Sequence, residues 1–325
     1  MPLVRSQELM DHSGCCLSSD DCISDRISSL NVGIARVNFT IHCSDAPLTN
    51  ELQSSSYTPF ITDHPIRAAG SFTVDVTLEI RDLPSSEGLE EVFEDCGSWS
   101  MLKKGIEYYL VLNPGLPDGP ESIIHFEPLL EKVIVYCGDL NVVSVAGKKL
   151  VRNPFIYPLD QLLLMYALAE RKGALVHAAG LDYHGKGFLF AGRSGAGKST
   201  LARNFASKGY EMLSDDRIVT RRINGSFRMF GTPWPGEAGI ALNKDLPLDG
   251  IFFIRHGTEH VIKELKPAEA VERLMPVTSI PWFDRKTMLS ILSFCEDMTA
   301  HVPAYELSFR PDNGVVDALE EFLSE

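Results

Sequence analysis

Alternating apolar and polar side chains dominate the first half of this chain. Ala35-Arg36-Val37-Asn38-Phe39-Thr40-Ile41 and Phe72-Thr73-Val74-Asp75-Val76-Thr77-Leu78-Glu79-Ile80 alternate as half-buried strands do. Tyr108–Leu112 and Lys132–Tyr136 are nearly continuous apolar runs rich in β-branched and aromatic residues, which also predicts strands. The turn clusters Asn113-Pro114-Gly115 and Pro117-Asp118-Gly119-Pro120 lie between the last two. Residues 1–30 carry few large apolar side chains and predict a flexible lead. Residues 31–150 then read as a β-rich α+β domain for accessory or substrate-recognition duty, with no catalytic constellation visible.

From residue 151 to 325 the period changes. Leu159, Leu162, Leu163, Tyr166 and Ala167 recur at helical spacing over 158–171, with Pro158 at a first-turn position. Strands are predicted over Ala174–Leu181, Phe188–Ala191, Tyr210–Leu213, Ile251–Ile254 and Tyr305–Phe309. Helices are predicted over Lys198–Lys208, Pro267–Met275, Asp284–Cys295 and Val315–Leu323, the first stopped by Gly209. Asn224-Gly225 and the turn around His184-Gly185 mark two hairpins. Alternating strands and helices of this kind predict an α/β unit.

Composition narrows the partners. The chain has 325 residues, 30 basic and 44 acidic, for a formal charge of −14, and no Lys/Arg run. That balance argues against nucleic acid or an anionic membrane as partner. No apolar stretch approaches a bilayer span, and the opening residues lack the apolar core of a secretory signal. Seven cysteines without a C-x-x-C pair, Cys15, Cys16 and Cys22 among them, read as reduced thiols of a cytoplasmic protein. Self-association is left open by the sequence.

The sharpest chemical signal is Gly192-Arg193-Ser194-Gly195-Ala196-Gly197-Lys198-Ser199, which fits G-x-x-x-x-G-K-[ST]. A chance match in a chain this long has odds of about one in a hundred. An apolar strand leads in and a helix leads out, as a phosphate-cradling loop requires. Successive main-chain N–H groups at a helix N-terminus form a concave anion site, and glycines admit the close approach. Lys198 would reach the outer phosphates of ATP, the Ser199 hydroxyl would meet Mg²⁺, and Thr200 could lie near the α-phosphate. Asp215 and Asp216 at a strand end are the candidate carboxylates, Asp216 for Mg²⁺ and Asp215 as base. His177, one hairpin away from the loop, is a candidate active-site residue. Trp234, in the proline-stiffened segment Gly231–Glu237, could bound the pocket. Arg255 and His256 are weaker candidates for phosphate contact.

Val176-His177-Ala178-Ala179-Gly180, then Gly187–Thr200, then Gly209–Asp216 resembles the kinase domain of the HPr kinase/phosphorylase family in order and spacing. The resemblance covers about 150–325 and is specific over 176–216. It implies a P-loop kinase fold similar to phosphoenolpyruvate carboxykinase and ATP-dependent phosphorylation of a serine hydroxyl. By motif position it makes Asp215 and Asp216 the catalytic pair and His177 an active-site residue. Two departures bear on the activity. Thr200 stands where the bifunctional enzymes carry an acidic residue, and their segment for the reverse, phosphate-releasing reaction has no counterpart. The acceptor is expected to be a protein, a peptide or a small-molecule hydroxyl. The alternative is a nucleotide-binding module that transfers nothing.

Overall fold

The computed structural model describes residues 29–324, apart from 50, 51, 53–55, 114–119 and 146. The expected flexible lead lies outside this range except for Ser29 and Leu30, which begin a strand. Cys15, Cys16 and Cys22 also lie outside it. Cys43, Cys96, Cys137 and Cys295 are free thiols.

The described chain is mixed α/β, with two nine-stranded sheets. The first takes β1 (Ser29–Ile34), β2 (Val37–Cys43), β3 (Ile61–Thr62), β4 (Phe72–Ile80) and β5 (Glu90–Asp95). It continues with β6 (Trp99–Lys104), β7 (Glu107–Leu112), β8 (Ser122–Phe126) and β9 (Val133–Cys137). Their order is β3-β1-β2-β4-β9-β8-β7-β6-β5, antiparallel except for the two parallel pairings that β4 makes with β2 and β9. Alternation does its work here: Val74, Val76 and Leu78 of β4 point into the core while Thr73 and Asp75 face out. A small ribbon of β10 (Val142–Val145) and β11 (Lys148–Val151) follows.

The predicted strand over residues 35–41 is corrected by the structure. Ala35 and Arg36 form the two-residue turn of a β1–β2 hairpin, with φ of 52° and 63°. Such angles ordinarily call for Gly or Asn, so nothing in the residue types marks the turn. Arg36 is instead held in place by Asp245 at 2.7 Å and by the Ala69 carbonyl at 2.9 Å.

Helix α1 (Leu159–Ala169) packs its buried Leu159, Leu162, Leu163 and Tyr166 into the core of the first sheet, with Phe39, Val135 and Phe126. Its Tyr166 ring meets Phe126 edge-on at 5.1 Å. That core also takes in Leu175, Val219, Ile223 and Phe230 from the later residues, so one apolar body joins the two sheets.

The second sheet comprises β12 (Gly173–Tyr183), β13 (Lys186–Ala191), β14 (Glu211–Ser214), β15 (Arg217–Ile223) and β16 (Ser226–Phe230). The others are β17 (Asp245–His256), β18 (Val261–Glu264), the two-residue β19 (Thr278–Ser279) and β20 (Ala304–Phe309). The hairpins at His184-Gly185 and Asn224-Gly225 fall where the sequence puts them, all four residues at positive φ. Strand β17 runs parallel to both β13 and β20, and its pairing with β13 bends the sheet back on itself. Helix α2 (Lys198–Ser207) leaves β13 through the glycine loop, and Gly209 ends the turn beyond it at φ 86°. Helices α3 (Pro267–Leu274), α4 (Arg285–His301) and α5 (Gly314–Ser324) complete the chain. Asp284 caps α4 by accepting from the Lys286 and Thr287 amides.

Candidate phosphate-binding site

Strands β13, β17 and β20 run in the same direction, and their C-terminal ends meet at the glycine loop. Gly192 follows β13, His256 ends β17 and Phe309 ends β20. Carboxyl ends of parallel strands are where open α/β sheets bind ligands. Within the loop, Gly195 and Gly197 have φ of 78° and 100°, and Gly197 starts α2. A Cβ on Gly197 would lie 2.8 Å from Phe309 Cζ, so both its backbone angle and its packing demand glycine. Arg193, Ser194 and Gly195 are exposed at the tip, and Ala196, Gly197, Ser199 and Thr200 are half-buried.

Lys198 is buried, and its ammonium donates to the Gly192 and Arg193 carbonyls at 3.0 and 3.2 Å. Burial pulls its pKa below the usual lysine value. The Asp216 and Asp215 charges oppose that shift and Arg217 adds to it. The ammonium therefore lies across the mouth of the loop it would share with a phosphate chain.

Two neighbouring strands bring up the other candidates. On β12, Ala178 pairs with Ala191 of β13 on one side, and His177 pairs with Arg217 of β15 on the other. The Gly192 amide donates to the His177 carbonyl at 3.4 Å, and the Ala178 amide to the Asp216 carbonyl at 3.0 Å. His177 Nε2 and Asp216 Oδ1 stand 2.9 Å apart. Burial alone would raise the Asp216 pKa. The His177 hydrogen bond and the Arg217, His177 and Lys198 charges outweigh it and hold the carboxyl below its ordinary range. Asp216 is thus an anion at neutral pH, half-buried, between His177 and Lys198.

Asp215 is placed differently. It is buried and accepts the amides of Gly236 and Ala238, each at 2.8 Å, and of Ile240 at 3.4 Å. At the bend between β14 and β15 the two side chains diverge, so Asp216 faces His177 beside the glycine loop and Asp215 closes the segment 236–240. A Cβ on Gly236 would come within 2.6 Å of Asp215 Oδ2, so the carboxylate seats against bare backbone.

The 233–240 segment carries a further link that the sequence did not reveal. Trp234 Nε1 donates to Asp160 Oδ2 at 2.8 Å and to the Tyr57 hydroxyl at 2.9 Å, and that hydroxyl donates to Asp160. Ser56 Oγ donates to the Pro233 carbonyl at 2.5 Å. Trp234 therefore ties the segment to the first sheet and to α1. His256, a weaker candidate in the sequence, lies on the loop itself, with Nε2 2.7 Å from the Gly195 carbonyl and its ring over Phe309. Arg255 points elsewhere and pairs with Glu306 at 3.0 Å.

The donor set suits a metal that arrives with phosphates. Among the described residues no group of three or more His, Cys, Asp or Glu side chains could hold a metal by itself. Mg²⁺ bound through one carboxylate, a hydroxyl, water and substrate phosphates needs no such cage. Ser199 and Asp216 are the residues here that could contribute.

A family model falls on this same half of the chain. The family described as SynChlorMet cassette protein ScmC matches residues 156–311. The HPr kinase/phosphorylase of Lactiplantibacillus plantarum is 31% identical over 121 residues, which is 37% of this chain. Over that stretch the chain is similar to HPr kinase/phosphorylase. The match spans 36% of that relative's length. The solved Hpr(Ser) kinase/phosphatase from Coxiella burnetii aligns with 46% of this chain and 99% of its own, at 13% identity. The TM-score of that alignment is 0.27. No helix among the described residues is long and apolar enough to cross a membrane.

Proposed function

We propose that this chain is a Mg²⁺- and ATP-dependent kinase that phosphorylates a hydroxyl, a serine of a protein or peptide. The observation that carries this reading is the convergence of Lys198, His177 and Asp216 on the glycine loop, with the His177–Asp216 pair at 2.9 Å. Kinship with HPr kinase/phosphorylase supports it.

In such a transfer the bond from the bridging oxygen to the terminal phosphorus breaks and a bond from the acceptor oxygen to that phosphorus forms. ADP leaves and the hydroxyl gives up its proton. Little covalent work falls to the protein, so positioning and charge neutralisation dominate. Loop amides and Lys198 would hold the phosphates, and Mg²⁺, which Ser199 and Asp216 would hold, would supply charge neutralisation. Asp216, kept ionised, lies beside Lys198 with Ser199 on the adjoining helix turn, which suits it to orient the metal. The Asp216–His177 pair takes up the acceptor's proton. Asp215 has both oxygens engaged by main-chain amides, so it shapes the 236–240 segment and is the less suited of the two acids to act as base. The untwinned alternative, a module that binds nucleotide without transferring, lacks any use for the His177–Asp216 pair.

The test is transfer of labelled phosphate from MgATP to a peptide pool and to free serine. Labelling by the wild type that is lost in Lys198→Ala and Asp216→Asn supports the reading. Labelling undiminished by either change rejects it. Labelling of free serine with the peptides left untouched moves the acceptor to small molecules.

A further inference from the structure

Arg217 differs from six arginines that brace the two sheets. Arg36, Arg203, Arg221, Arg222, Arg228 and Arg255 each donate to an acceptor of the protein within 3.3 Å. The Arg217 guanidinium makes no hydrogen bond among the described residues. Its nearest acid, Asp216 Oδ2, is 3.7 Å from Nε, and Nε is itself buried without a partner. A buried guanidinium N–H without an acceptor is costly unless a ligand completes it.

Its position says which ligand. Arg217 lies directly opposite His177 in the β12–β15 register, and opposed residues of an antiparallel pair project to the same face. Asp216 contacts both side chains. The charge of Arg217 is felt at Lys198, where it adds to the lowering of the ammonium's pKa. Two cations, Lys198 and Arg217, thus face one available carboxylate, because Asp215 is occupied by the amides of 236–240. The surplus positive charge lies on the Asp216 side of the loop, beyond the amides that hold the inner phosphates.

We propose that Arg217 is a catalytic residue that grips the terminal phosphoryl group of the nucleotide; this rests on the kinase reading above. The planar fork donates two parallel N–H groups to oxygens of that phosphate. It neutralises charge there as the group transfers, and it distinguishes a triphosphate from a diphosphate.

The experiment is calorimetric titration of the full chain with MgATP and with MgADP. Arg217→Gln is expected to weaken MgATP binding by about tenfold while changing MgADP by less than about twofold. A parallel loss for both nucleotides, or none, overturns the proposal. Arg217→Lys keeps the charge and most of the bulk, and serves if the glutamine variant does not fold. It is expected to lose about threefold for MgATP alone, and an unchanged ATP-to-ADP ratio overturns the proposal equally. In labelled transfer by Arg217→Ala, added guanidinium ion is expected to restore activity in part, an effect that a merely structural arginine would not produce. Absence of nucleotide binding by the wild type sinks the kinase reading itself, and is thereby distinguished from an error confined to Arg217.

Discussion

The two sheets have the same number of strands and treat buried polarity in opposite ways. In the first sheet and its flanking residues to 153, the buried polar side chains are all neutral: Asn38, Ser100, Ser122, Asn141 and Asn153. Asn38, Ser122, Asn141 and Asn153 make hydrogen bonds. From α1 onward buried ionisable side chains appear, namely Asp160, Lys198, Asp215, Arg221 and Asp284. An ion taken out of water destabilises a fold unless partners compensate it. Three of these groups, Asp160, Lys198 and Asp215, serve the glycine loop and the segment beside it, and Arg221 serves the contact between the sheets. The first sheet is organised for packing, and the second gives up stability to hold a charged site in place.

The sharpest way to break this contrast is to remove a charge from the second sheet and ask what is lost. Lys198→Ala should cost transfer a factor on the order of a hundred or more, since one preorganised charge contact to a transferring group is worth that much. Its unfolding midpoint should stay close to that of the wild type, because a desolvated ammonium is removed. A large fall in stability with activity retained would place Lys198 among the structural ions.

Arg221→Met examines the contact between sheets. Arg221 donates to the Ala35 carbonyl at 2.6 Å and the Gly70 carbonyl at 3.0 Å, and burial depresses its pKa to about 10. Losing it strips the donor from the buried Ala35 carbonyl and from the more exposed Gly70 carbonyl, for about 1–3 kcal/mol in urea unfolding. A single transition shifted as a whole is expected, and two separate transitions would mean that the sheets unfold independently.

Asp215→Asn sharpens the division of labour between the acids. An amide cannot accept all three main-chain N–H groups without facing one of them with its own NH₂, so a loss of about 1–2 kcal/mol in stability is expected. Nucleotide affinity should fall less than in Asp216→Asn, measured by the same titration. The reverse order would return the metal or the proton to Asp215.

The smallest effect is a pH dependence. Asp216 has its folded pKa below the ordinary 3.8, so its contribution to stability is fully present above that value. It is lost as pH falls through the lower folded value. The stability difference between wild type and Asp216→Asn should be flat above about pH 5 and shrink below about pH 4, by under about 1 kcal/mol since the group is partly exposed. A difference that instead grows toward low pH would mean that the pKa is raised.

Legibility in the sequence followed the locality of the cause. Strand β4, the Asn224-Gly225 hairpin, the helix stop at Gly209 and the glycine loop are each dictated by residues within a few positions, and all could be read. Strands β5 and β6 could not, because Glu90-Glu91-Val92-Phe93-Glu94-Asp95 offers charges where an interior strand offers apolar side chains. It forms the sheet edge, where such charge is expected. The Ala35-Arg36 turn was hidden for another reason: what stabilises it comes from Arg221 and Asp245, about two hundred residues away. In the site, the loop and the Asp215-Asp216 pair were legible as types. Which acid faces which way was not, since that depends on the amides of 236–240. Trp234 could be noticed as unusual, yet its partners Tyr57 and Asp160 have no signature in the local pattern.

The Trp234 indole bears on how this molecule can be dissected. A scission near residue 150 would strip Tyr57 from the indole and bare Leu175, Val219, Ile223 and Phe230 to solvent. It would also unseat the very segment whose amides clasp Asp215. A shortened polypeptide beginning at α1 would resemble the matched stretch on paper, and would still be a poor surrogate for the intact protein at the bench.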